Sequence, residues 1–354
     1  MEIKKLVLKH FRNHSERVFS FSNGLNVIEG KNTVGKTNLV EAVYFCAFGK
    51  SPRTVRDKDV VEWGCERAEI HATFAKKYRT SQIDMLISKN GEKRIATDCA
   101  AIAKLGELIG NINVVYFSPD EIKMIKEGPQ ERRRFLDISI SQQNKSYFYA
   151  LTKYTNILRN RNKLLKEGAS KSYVQSTLPI WDHQLVQAGT EIIRKRIEFL
   201  EYLSPMVDTI HRSLTAQNIG LLVEYETDMD LLDVQSDFAK KLAENWEKDI
   251  KLGFTSVGPH RDDILIKSNG IDVRAFGSQG QQRIAALALK LAETKIIEEN
   301  TGDKPILILD DVLSELDPER RKALLEYSKD VQVLLTCTDF TEKDAYIKNK
   351  ISII

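Results

Sequence analysis

Cysteine is scarce and scattered. The four residues Cys46, Cys65, Cys99 and Cys337 include no C-x-x-C pair. That argues against a zinc site or a disulfide framework and for free thiols in a reducing compartment. No apolar run approaches the length of a membrane span. No apolar segment follows Met1-Glu2-Ile3-Lys4-Lys5, so a cytoplasmic location is expected rather than secretion. His260 stands beside Asp262 and Asp263 but has no second histidine at ligand spacing, so it is not read as a metal ligand. Charge of one sign is not in great surplus either. Charged residues are 29% of the chain, yet the net charge is only +3. The 354 residues suffice for one large or two ordinary domains.

Against this plain background one stretch stands out. Gly30-Lys31-Asn32-Thr33-Val34-Gly35-Lys36-Thr37 fits G-x-x-x-x-G-K-[ST], the phosphate-binding P-loop. A chance match in a chain this long is about one in a hundred from average residue usage. Leu25 to Glu29 reads as the strand before it, and Asn38 to Phe48 as the helix after it. The glycines let backbone N–H groups turn toward phosphate oxygens, and the helix adds its positive end. Lys36 is expected on the β- and γ-phosphates, and the Thr37 hydroxyl on Mg²⁺.

The pattern along the chain changes twice. Before residue 126 it suggests strands: Ile3 to Leu8, Ala68 to Phe74, Ser81 to Ser88 with an Asn90-Gly91 turn after it, and Val114 to Phe117. Arg12 follows the first strand; it either folds back over a nucleotide or lies on the surface. From Gln130 to Lys166, Trp181 to Leu203 and Leu231 to Ile250 the spacing is helical, with Ser204-Pro205 expected to interrupt or kink the second helix. From residue 253 the strand pattern returns, beginning with Ile264 to Ile266. The expectation is an α/β fold with an inserted, mainly helical lobe over 126–252, flanked by ATPase parts at 1–125 and 253–354.

Residues 126–171 hold eleven Lys/Arg against four Asp/Glu, an excess of seven in a chain of +3, which leaves the remainder near −4. Arg132, Arg133, Arg159, Arg161 and Lys163 carry much of it, interleaved with Tyr147, Phe148, Tyr149 and Tyr154. Two readings fit: contact with nucleic-acid phosphates, or an ordinary solvated helix face.

Two further motifs complete an ATPase. Ser278-Gln279-Gly280-Gln281 precedes an alanine- and leucine-rich helix, so Ser278 reads as an N-cap with donors exposed for an anion. Ile306-Leu307-Ile308-Leu309-Asp310-Asp311 reads as a buried parallel strand delivering two acids at its end. Asp310 would hold Mg²⁺ and Asp311 would polarise the attacking water; a helix cap or solvated turn is the plainer reading of the pair. Ser314-Glu315-Leu316-Asp317 and a buried strand, Val331 to Leu335, follow.

The order P-loop, helical insert, S-x-G-Q, apolar-Asp-Asp, S-x-L-D resembles the ABC-type P-loop NTPase heads of SMC and double-strand-break repair proteins. The fuller resemblance is to the RecF family. Phe11-Arg12-Asn13, Ser51-x-Arg53-Thr54-x-x-Asp57-Lys58-Asp59, Phe117-Ser118-Pro119, Arg132-Arg133-x-Phe135-Leu136-Asp137, Arg161-Asn162-x-Leu164-Leu165 and Gly258-Pro259-His260-Arg261-Asp262-Asp263 all look like that family. The resemblance implies an ATP-dependent homodimer that sandwiches two nucleotides. Each ATP would sit on Gly30, Lys31, Asn32, Thr33, Val34, Gly35, Lys36, Thr37 and Asn38, with Arg12 and Asp317 among its contacts. It would meet Ser278, Gln279, Gly280 and Gln281 of the other subunit. It further implies slow ATP hydrolysis, binding of double-stranded and gapped DNA, and RecA loading with RecO and RecR. Some positions depart from common patterns. Thr33 stands where many members have glycine or alanine. Phe117-Ser118-Pro119-Asp120 stands in place of a Q-loop glutamine, Thr338 in place of a switch histidine, and Asp311 in place of the glutamate of fast transporters. A transporter ATPase subunit and a non-hydrolysing ATP-held clamp are the competing readings; neither a membrane partner nor a long coiled coil is suggested by the sequence.

Overall fold

The computed structural model describes residues 1–166, 171–215, 219–340 and 347–353. It separates into two compact units. One comprises Met1–Ile122, Ser213–Asn218 and Ala286–Ile354; the other Lys123–Arg212 and Ile219–Ala285.

The first unit has two sheets. One is antiparallel, in the order His14–Ser20, Glu2–Phe11, Arg67–Ala75, Thr80–Ser88, Lys93–Thr97, Ala100–Ala101. Alternation explains it: in Arg67–Ala75 every second residue, from Ala68 to Phe74, is buried. The other sheet is parallel, in the order Ile347–Ser352, Leu25–Glu29, Val333–Cys337, Ile306–Asp310, Val114–Phe117. Its three inner strands and Val114–Phe117 are mainly apolar and buried along almost their whole length, as cover on both faces requires. The helix Lys36–Phe48 lies against strands of both sheets, so nearly all its residues are buried and it carries no polar stripe.

The second unit packs Pro129–Gln143, Lys145–Lys166, Lys171–Leu214 and Val234–Leu252 with a small antiparallel sheet of Leu221–Glu226, Asp263–Ser268 and Ile271–Asp272. The helix expected over Gln130 to Lys166 is two helices, broken at Asn144, whose carbonyl side chain caps Tyr147 N at 3.0 Å. Pro205 does not interrupt its helix, which runs through both Pro179 and Pro205. Fully buried Leu203 and Val207, on either side of Pro205, anchor the helix by packing. Gly253 to Ala285, including Ser278–Gln281, fall in this second unit.

Candidate functional site

The P-loop strand Leu25–Glu29 pairs in parallel with Val333–Cys337, which pairs with Ile306–Asp310, which pairs with Val114–Phe117. The register sets Asp310 beside Thr336 and Ile308 beside Tyr116. Three hydroxyls therefore converge on the Asp310 carboxylate. Thr37 Oγ1 donates to Oδ1 at 3.0 Å, Thr336 Oγ1 to Oδ1 at 2.6 Å, and Tyr116 to Oδ2 at 3.0 Å. Burial, then the neighbouring Asp310 charge, pushes the Tyr116 phenol far up, so Tyr116 acts only as a donor. Thr37 and Asp310, 273 residues apart in sequence, are thus brought into contact, as their expected shared role requires.

The loop itself needs both end glycines. Gly35 caps the helix at φ 107°, and a Cβ there would meet Asn13 at 2.5 Å; a Cβ at Gly30 would meet the Ile353 carbonyl at 2.5 Å. No side chain caps the helix and no acid stands in its first turn, which leaves its positive end for an anion. Lys36 curls into the loop and donates to Gly30 O at 2.6 Å and Lys31 O at 2.8 Å. His14 Nε2 donates to Gly35 O at 3.1 Å, and burial lowers the pKa of its ring. Asn38 is tied to Asn13 at 2.9 Å. Thr33 sits at φ 72°, the left-handed region in which a β-branched residue is strained.

Arg12 folds back onto the P-loop helix, and what it meets there is Glu41. Its guanidinium grips that buried carboxylate at 2.6 and 3.0 Å and donates to Asp59 O at 2.8 Å. Ser51 and Arg53 reach the same Glu41 at 2.5 and 3.3 Å. Asp311 is exposed at φ 56°, with its N–H on Thr336 Oγ1 at 2.9 Å. Asp317 caps the helix Pro318–Tyr327, accepting Arg320 N at 3.0 Å.

In the second unit Ser278–Gln281 forms a reciprocal cap. Ser278 N donates to Gln281 Oε1 at 2.8 Å, and Gln281 N to Ser278 Oγ at 3.3 Å. All four residues are exposed, next to an exposed Phe276.

The basic stretch resolves into two kinds of residue, and this corrects part of its reading. Arg132 and Arg161 are buried and cannot face DNA phosphates. Arg132 forks onto Asp263 at 2.6 and 2.7 Å. Arg161 spans Asp182 at 2.6 Å and Asp249 at 2.8 Å. Half-buried Arg133 donates to Asp262 O at 2.7 Å. Arg159 and Lys163 are exposed. His260 is also accounted for by protein partners: Tyr154 bonds Nδ1 at 2.6 Å and Nε2 donates to Thr255 O at 3.0 Å.

Tyr116, Thr336, His14 and Glu41 were not singled out by the sequence. Glu41 carried a signal, as the one acid in an apolar helix; Thr336 and Tyr116 became visible only through sheet register.

A P-loop strand one strand removed from an apolar strand that ends on a hydroxyl-clamped aspartate defines a P-loop head of the ABC ATPase type. The profile of the RecF/RecN/SMC N terminal domain matches residues 2–345. "DNA replication and repair protein RecF" of Clostridium novyi is 41% identical over 354 residues, spanning 100% of this chain and 97% of that one. The protein of the same name from Clostridium perfringens is 42% identical over 348 residues, spanning 98% and 96%. A solved structure of the recombination mediator protein RecF-ATPrS in the RecFOR pathway superposes with a TM-score of 0.91 at 34% identity, covering 100% of this chain and 96% of that one. An Smc head bound to a domain of ScpA shares the fold alone, at 18% identity and a TM-score of 0.58, covering 96% of this chain and 90% of that one. The chain belongs to the RecF family. No helix among the described residues is long and apolar enough to cross a membrane.

Proposed function

We propose that this chain is a cytoplasmic, ATP-dependent DNA-binding protein of recombinational repair, which dimerises on ATP, binds duplex DNA near single-strand gaps and assists RecA loading with RecO and RecR. The observation that carries the nucleotide part is the Thr37–Asp310 contact at the mouth of the P-loop. A threonine hydroxyl and a buried carboxylate are hard oxygen donors and suit Mg²⁺ rather than a softer metal. Bound there, Mg²⁺ would neutralise charge on the β- and γ-phosphates. Thr336 and Tyr116 hold the Asp310 carboxylate in place. Lys36 would exchange its two carbonyl partners for phosphate oxygens. Asp311, exposed beyond the strand end, would polarise water. As an aspartate on a strained turn it fits slow hydrolysis.

The exposed cap Ser278–Gln281 supports a shared site. Its helix N-terminus would meet the γ-phosphate held by a second copy, in a two-fold, self-complementary pairing. The nearness of relatives named for replication and repair supports the DNA role, as do exposed Arg159 and Lys163.

Sedimentation with Mg-ATP, with and without a gapped duplex, tests the proposal. ATP should convert monomer to dimer, and the duplex should co-sediment only with ATP present. Lys36→Met should do neither. A monomer that binds duplex equally with and without ATP would overturn the proposal.

A further inference from the structure

The end of the first strand and the loop after the P-loop helix bring together three side chains that the phosphate site does not use. His10, at φ 50°, is 52 residues from Glu62, and Cys65 lies three beyond it. The backbone fixes them as a unit: Glu62 N donates to His10 O at 2.8 Å, Cys65 N to Glu62 O at 3.1 Å, and Phe11 bridges to Val61. Their ligand atoms all lie within 4.8 Å of one another.

We propose that His10, Glu62 and Cys65 bind a borderline-soft divalent metal ion of the Zn²⁺ type, with a water in the fourth position. Zinc bond lengths to nitrogen, oxygen and sulfur imply tetrahedral edges of about 3.3–3.8 Å. His10 Nδ1 to Cys65 Sγ is 3.3 Å, and Cys65 Sγ to Glu62 Oε2 is 3.7 Å. Two of the three edges are therefore already set. The third, His10 Nδ1 to Glu62 Oε2, is a 2.7 Å hydrogen bond that must open by about 0.6–0.7 Å. Ser15 donates to the other carboxylate oxygen, Oε1, at 2.5 Å, which orients Glu62 and leaves Oε2 for the ion. A thiolate with an imidazole selects zinc or cobalt over magnesium and calcium. The half-exposed His10 leaves room for water on the open side. On binding, the Cys65 thiol gives up its proton to solvent and its sulfur forms the metal bond.

The absence of C-x-x-C pairs was an argument against zinc, and it addresses only ligands close in sequence. Here the set is assembled from two segments. An ion would pin the strand end two residues before Arg12 to the loop that carries Asp59, the carbonyl partner of Arg12.

The test is a Co²⁺ titration of the metal-free full chain, with excess Mg²⁺ present to occupy the Thr37–Asp310 site. One equivalent should raise a thiolate-to-cobalt charge-transfer band in the near ultraviolet, and one equivalent of Zn²⁺ should bleach it. His10→Ala and Cys65→Ser should lose the band while keeping the parental circular dichroism. Ser15→Ala should keep it with affinity weakened by about tenfold or more. Cys99→Ser, which changes the exposed thiol outside the set, should leave it intact. No band at a few equivalents, a band that survives Cys65→Ser, or a band lost in Cys99→Ser would each overturn the site.

Discussion

Arg161 offers a clean decision between a DNA contact and an internal brace. Its side chain is 0% exposed, as is its partner Asp249, and it also bonds Asp182 and Thr255 Oγ1. Replacing it by leucine keeps bulk but leaves a buried carboxylate without its cation. Breaking such a pair from one side costs about 3–5 kcal/mol. In a unit of this size that lowers the melting temperature by roughly 6–20 °C. Arg161→Lys should rescue little, because one ammonium cannot span two acids as a guanidinium does. The assay is thermal melting by circular dichroism, with hydrogen exchange read on Lys145–Lys166 and Val234–Leu252. The double variant Arg161→Leu/Asp249→Leu should lose clearly less than the sum of the singles, a coupling of about 0.5–3 kcal/mol. A melting temperature within about 2 °C of the parent, together with weakened duplex binding, would refute the brace and restore the phosphate reading.

Other outcomes follow from the same geometry. Asp311→Asn should still bind ATP and persist as a dimer, with hydrolysis lost; loss of ATP binding in the folded variant would count against its water-polarising role. Arg159→Glu with Lys163→Glu should leave melting unchanged and flatten the salt dependence of duplex binding by about one log–log unit per lost contact; an unchanged slope leaves a solvated helix face. Lys36→Met mixed with Ser278→Ala, each inactive alone, should recover roughly a quarter of parental ATPase. Half the dimers are then mixed, each with one intact site, so no recovery from proven mixed dimers with independent sites would sink the shared-site arrangement. His260 gives a pH signature: burial drives its pKa down to about 4 from 6.5. The unfolded chain therefore takes up a proton first, and stability falls as pH drops from about 6.5 toward 4, by at most about 3 kcal/mol from this group. Urea titrations of the parent and His260→Asn across that range should show the shallower slope in the variant.

What the sequence made legible was whatever depends on local order. Leu25–Glu29 and Val114–Phe117 are strands at the expected residues because a short apolar run beside a glycine or proline turn has few alternatives. Thr37 and Asp310 could be paired in advance because their motifs carry a shared chemistry. The basic stretch failed as a guide because a charge count cannot tell a solvated guanidinium from a paired one. Asp182, Asp249 and Asp263, which decide the matter, lie 21, 88 and 131 residues from their arginines. The same partners explain why Gly258-Pro259-His260-Arg261-Asp262-Asp263 reads so strongly as a family motif. Pro259 O takes Arg196 at 2.7 Å, Asp262 takes Thr227 Oγ1 at 2.8 Å, and Asp263 takes Arg132. The stretch wires the helical unit together. Pro205 ends no helix for a related reason: proline removes one backbone bond, and the packing of its buried neighbours outweighs that loss.

The order of strands in the parallel sheet bears on how the protein is made. Leu25–Glu29 is made about 300 residues before either of its sheet neighbours, Val333–Cys337 on one side and Ile347–Ser352 on the other. Ile3 is likewise clasped by Gln332, 329 residues later. At about 5–20 residues per second the nascent P-loop strand waits roughly 15–60 s for its partners. Throughout that interval Val27 and Ile28, fully buried in the folded chain, lack the two strands that flank them. A product truncated before Ile306 would carry the whole phosphate-binding motif without Asp310, which meets Thr37, or Thr336, which holds that carboxylate.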